Sequence, residues 1–92
     1  MSLPVLFRPD AETEIIEAWD WYEMRHQGLG AEAAISRAAR VPDANPRVHG
    51  EVRRELLRRF PFGVFYVVEN ETLLVLAVAH ARRKPGYWAD RM

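Results

Sequence analysis

The chain has 92 residues, enough for one small domain spanning residues 1–92 and too few to divide a core between two. Its 49% hydrophobic and 28% charged content excludes a disordered segment, and the absence of cysteine excludes a disulfide scaffold and thiolate chemistry, which fits a reducing cytoplasm. A net charge of zero conceals a dipole: residues 1–35 carry two Arg against seven Asp and Glu, whereas residues 36–92 carry eleven Lys and Arg against six, giving −5 and +5.

In chain order, residues 3–8 form a short β-type run. Pro4 near its beginning suits an edge position or a first strand residue, because proline cannot donate to a ladder. Pro9 then opens a helix at its first position, with Asp10, Glu12 and Glu14 where the positive end of the helix dipole favours carboxylates. Through residues 11–26, Ile15, Trp19 and Tyr22 recur at helical spacing with Ile16 beside them, and these four are expected on the core face. Trp21 falls about 200° from Trp19 on the wheel, among Glu14, Glu17 and Arg25. It is either packed on a neighbouring element or part of a partner surface, where aromatics are enriched.

Gly28 and Gly30 close this helix, and a second is expected over residues 31–41. Its small inner face of Ala31, Ala34, Ile35 and Ala38 suits close packing against the first as a hairpin. Pro42 and Pro46 then stop it, and the stretch to Gly50 reads as loop. Residues 52–60 read as a strand carrying Arg53, Arg54, Arg58 and Arg59; neighbours on a strand alternate faces, so these four cannot share one. Residues 62–69 and 72–80 are the most apolar, richest in Val, Leu, Phe and Tyr, and only Asn70-Glu71 separates them, which marks a central hairpin. Behind His80 comes a basic, aromatic tail, Arg82-Arg83-Lys84-Pro85-Gly86-Tyr87-Trp88, whose proline and glycine forbid much regular structure.

The expected order is β-α-α-β-β-β, an α+β fold in which an N-terminal helical hairpin covers one face of a small, largely antiparallel four-stranded sheet. The longest apolar run, residues 73–79, is too short to span a bilayer, and a soluble, cytoplasmic protein with no membrane partner is expected. His26, His49 and His80 lie far apart without ligand-like spacing, so no metal is expected, and with no Gly-rich phosphate loop no cofactor is expected either.

This order, together with RRELLRRFPFGVFYVVEN and LLVLAVAHARRKPGYW (residues 53–70 and 73–88), resembles the RelE/ParE superfamily of bacterial toxins, in particular members labelled plasmid stabilisation proteins. The resemblance runs from the first strand to the tail. It implies the toxin of a type II toxin–antitoxin pair, held inactive by a cognate antitoxin that completes a sheet edge or covers the helices. ParE-like members inhibit DNA gyrase by binding; RelE-like members are endoribonucleases that cut messenger RNA on the ribosome without a metal.

Cleavage through a ribose 2′-hydroxyl needs a base, cations for the phosphorane and an acid. The candidates are His80 as base or acid, Arg82 and Arg83 as phosphate clamps and Tyr87 as stacking or acid residue; Arg82 with Tyr87 best resembles the family's tail pair. Arg54, Arg58 and Lys84 add positive potential for a target or nucleic acid. The family's strand lysines are arginines here or absent, and arginine does not deprotonate at neutral pH. The leading reading is therefore a ParE-like toxin that binds rather than cleaves. The alternatives are a RelE-like nuclease and a non-toxic relic that only binds an antitoxin. Relative to the family, the second helix is short, alanine-rich and interrupted by Pro42, which removes core volume and implies reliance on the antitoxin or a homodimer.

Overall fold

The computed structural model describes residues 2–23, 31–57 and 62–80, with the backbone alone described at residues 18–23 and 31. Two helices and a five-stranded sheet result: β1 (Val5–Phe7), α1 (Pro9–Glu23), α2 (Ala31–Arg40), β2 (Arg47–His49), β3 (Val52–Leu56), β4 (Phe62–Glu69) and β5 (Thr72–His80). The sheet order is β1-β5-β4-β3-β2, antiparallel throughout except that β1 runs parallel to β5.

The β4–β5 hairpin is the centre of the sheet, as its apolar β-branched runs require. Asn70 and Glu71 both take left-handed backbone angles, φ 51° and 58°, the geometry of a tight primed turn whose twist matches the strands it joins. On the far side of β4, three residues after Pro46, Arg47–His49, pair with β3 as a fifth strand where the sequence reads as loop. Proline before and Gly50 after hide so short a strand, which exists only because β3 offers it an edge. Gly50 accommodates the return with φ 56°.

Both helices lie on one face. Pro9 starts α1 with Asp10 and Glu12 in its first turn, and α2 carries Glu32 in its first turn and Arg37 and Arg40 in its last, each matched to the helix dipole. Ala34, Ile35, Ala38 and Ala39 of α2 join Ala11 of α1 and Val64, Tyr66, Leu73, Val75 and Val78 of the sheet in one buried core, flanked by Val5, Phe7 and Ile15. The small face of α2 is thus received by the sheet and not by α1 alone. Ile16, expected on the core face, is 55% exposed, since the buried side of α1 is centred on Ala11 and Ile15. The side chains of Trp19, Trp21 and Tyr22 lie outside the described residues.

The sheet's other face holds a second buried cluster, Val52, Phe65, Val67, Leu76, Ala77 and Ala79, to which none of the described side chains of α1 or α2 contributes. Leu6 and Leu56 are exposed on this side, at 61% and 46%. One irregularity decides which residues share which face. Phe65 pairs with Ala77 and Tyr66 with Val75, so Leu76 is an additional residue in β5, a bulge. Leu76 and Ala77 consequently both belong to the helix-free cluster, and Val78 returns to the helix side.

The bulge sits just beyond the end of β1, which covers Leu73–Val75 and hands over at the bond from the Arg8 N–H to the Val75 carbonyl, 2.9 Å. The next outward N–H, that of Val78, donates to the Glu14 carboxylate of α1 at 3.1 Å. A helix side chain thereby covers an edge that the short strand leaves open.

Candidate functional site

The strand arginines are sorted by the pleat. Arg53 pairs with Tyr66 and Arg54 with Phe65, so the two point to opposite faces. Arg53, on the helix side, donates to the carbonyls of Asp43 (3.3 Å) and Asn45 and lies 3.7 Å from the Asp43 carboxylate. It ties β3 to the turn after α2 and is not a cation offered to solvent. Arg54, on the helix-free face, lies across from Phe65 and between Val52 and Leu56 along its strand, so its charge is flanked by apolar side chains that raise its electrostatic reach.

Next to Arg53, a polar network has formed that the sequence did not suggest. The Tyr66 hydroxyl donates to the Pro42 carbonyl at 2.7 Å and accepts from Asn45 Nδ2 at 3.0 Å. Asn45 Nδ2 also donates to Glu55 Oε1 at 2.7 Å, and Arg37 Nε to Glu55 Oε2 at 3.1 Å, while Arg37 Nη2 reaches the Leu56 carbonyl at 3.2 Å. Burial pushes the Tyr66 hydroxyl above its ordinary value of 10.0; the Asn45 hydrogen bond works against that and the Glu55 carboxylate adds to it. The phenol stays neutral and pins α2, the turn at Pro42–Ala44 and β3 together. The available signal was a tyrosine inside an otherwise apolar strand, whose hydroxyl needs a partner once buried.

His80 ends β5 opposite Phe62, with ring centroids 5.6 Å apart and an edge-on angle of 64°. Phe62 packs against the helix-side core, so His80 stands on the helix side too. Without the Leu76 bulge it would share the face of Arg54. His80 and Arg54, to which the nuclease reading gives proton transfer and added positive potential, thus stand on opposite faces of the sheet. Arg58, Arg82, Arg83, Lys84 and Tyr87 lie outside the described residues, as does the Trp21 side chain.

A cavity of about 350 Å³ opens at the Val67–Glu69 end of β4, away from Phe62 and His80, lined by Asp43, Arg47, Glu51, Arg53, Val67, Val68 and Glu69. Its guanidinia are already engaged, Arg53 as above and Arg47 with Glu51 at 3.5 Å, and it contains none of the candidate residues. Among the described residues no three His, Asp or Glu side chains are grouped to hold a metal ion, and no helix is long and apolar enough to cross a membrane.

Comparison with known proteins agrees with this architecture. Residues 5–85 match the family model for the ParE toxin of the type II toxin–antitoxin system parDE. No curated protein sequence matches significantly. Among solved structures, a chain of the toxin–antitoxin complex RelBE2 from Mycobacterium tuberculosis is similar with a TM-score of 0.61 at 17% identity, over 87% of this chain and 99% of that one. A chain of the chromosomal ParDE toxin–antitoxin system from P. aeruginosa is similar with a TM-score of 0.60 at 16% identity, over 86% and 96%. The two scores are nearly equal, so backbone shape does not choose between the RelE and ParE kinds.

Proposed function

Because the chain belongs to the ParE toxin family of type II toxin–antitoxin systems, we propose that it arrests bacterial growth by binding a cellular protein such as DNA gyrase, and that a cognate antitoxin neutralises it. The observation that supports this choice is the placement of Arg54 on the face of the sheet away from the helices, opposite His80 and among apolar side chains. Arg54, flanked by apolar side chains and close to exposed Leu56, is suited to an interface, where arginine is enriched.

In this reading the basic tail, Arg82, Arg83 and Lys84, together with Arg58, supplies positive potential toward the target or the antitoxin, and Trp21 belongs to a partner surface. The antitoxin has short, exposed β2 as an edge to extend or the helices to cover, in keeping with the complexes from which the similar folds come. The protein works as a single domain in the cytoplasm.

Inducible expression in bacteria tests the choice. Growth arrest that persists in His80→Ala, with transcript ends unchanged from uninduced cells, is the expected result. Cleavage of transcripts within codons on the ribosome, lost in His80→Ala, would establish the nuclease instead.

A further inference from the structure

Gly63 has no conformational reason to be glycine. It sits inside β4, paired with Leu56 on one side and Ala79 on the other, is buried, and its φ lies outside the left-handed region. Any residue can adopt that backbone, and a glycine in a strand interior weakens the strand by forgoing side-chain packing. The reason lies in space. A Cβ built on Gly63 would come within 3.0 Å of Arg54 Cγ and 3.1 Å of Arg54 Cδ, with Phe65 Cε1 at 3.5 Å. The stem of Arg54 thus lies across β4, closer to position 63 than a Cβ there would ordinarily allow.

We propose that Gly63 is a positioning residue: it provides the seat that holds the Arg54 stem against the sheet and so fixes where the guanidinium meets a partner on the helix-free face. Arginine has a long stem with high rotamer freedom, and a contact made by a stem already seated loses less of that freedom on binding. The first two carbons past Cβ are the ones in contact, so a methyl at position 63 presses on them and displaces the stem from its seat by at least a few tenths of an ångström. The proposal deepens the reading of Arg54 as a target contact and rests on it for its use, though the seat itself can be measured without any target.

The experiment uses the full chain as wild type, Gly63→Ala, Arg54→Ala and the double variant. Side-chain Nε–Hε relaxation of Arg54 by NMR reads the seat. A clear loss of order in Gly63→Ala is expected, and an Arg54 as ordered as in wild type would overturn the proposal. Inhibition of supercoiling by purified DNA gyrase reads the use. Gly63→Ala is expected to raise the inhibitory concentration roughly 3–10-fold, corresponding to part of one tenfold step in affinity, Arg54→Ala by at least as much, and the double variant no further than Arg54→Ala. Losses that multiply in the double variant would overturn it, because the two changes would then act separately. If Arg54 loosens in Gly63→Ala while neither single variant changes inhibition, the seat stands and the target reading of Arg54 falls. Should Gly63→Ala not fold, the Arg54→Ala background decides: folding restored there supports the seat, and failure in both backgrounds overturns it.

Discussion

Replacing Tyr66 by Phe removes one oxygen from the interior and nothing else. In the native chain that oxygen is fully enclosed, donating to the Pro42 carbonyl at 2.7 Å and accepting from Asn45 at 3.0 Å. The substitution leaves a carbonyl without its donor and Asn45 with one acceptor fewer, and an unsatisfied buried group costs about 1–3 kcal/mol. In a domain of this size each kcal/mol lowers the thermal midpoint by about 4–8 °C, so a fall of at least about 4 °C at neutral pH is expected.

The same residue sets an alkaline limit. Burial raises the folded-state pKa of Tyr66 above 10.0, so its contribution is fully present below pH 10.0 and is lost as pH rises through the higher folded value, because the unfolded phenol ionises first. Tyr66→Phe has nothing to ionise and lacks that part of the decline. Thermal or urea denaturation of both proteins at pH 7 and along a series from pH 9 upward measures the two effects together. Equal midpoints at pH 7, with the same alkaline slope in both proteins, would refute the network as a stabilising element.

Two further perturbations test the hairpin and the sheet edge. Glu71→Gly relieves a side chain held at φ 58° in the primed turn and should stabilise by about 0.5–1 kcal/mol, seen as a higher urea midpoint with an unchanged slope. Glu14→Ala strips the acceptor from the Val78 N–H; it should destabilise by about 1–3 kcal/mol and speed hydrogen exchange at Val78, while Glu14→Gln, which keeps an acceptor oxygen, recovers most of the loss.

The hairpin at residues 62–80 was legible because two apolar, β-rich runs flank a two-residue turn, and no other pairing satisfies both. Its interior register was not. In Leu73-Leu74-Val75-Leu76-Ala77-Val78-Ala79 every residue is apolar, so a bulge at Leu76 leaves no break in any alternation, yet it moves every later side chain to the other face. That single extra residue places His80 on the face opposite Arg54, while Arg58, Arg82, Arg83, Lys84 and Tyr87 lie outside the described residues.

The strand Arg47–His49 escaped detection for a related reason: it has no pattern of its own and depends on β3 for its existence. Arg53 illustrates the same limit for charge. From its neighbours it looks like part of a basic patch, and only the fold brings the Asp43 and Asn45 carbonyls to it. The exposure of Ile16 shows how wide a helical stripe reads on a wheel compared with the narrow contact that a two-layer packing gives it.

The central claim, action by binding, is tested most directly by adding the purified chain to purified DNA gyrase and relaxed plasmid and following supercoiling. Supercoiling that is inhibited in proportion to the chain added, and restored by the cognate antitoxin, is the predicted result. Undiminished supercoiling, with ribosome-dependent messenger RNA cleavage by the same preparation, would contradict it.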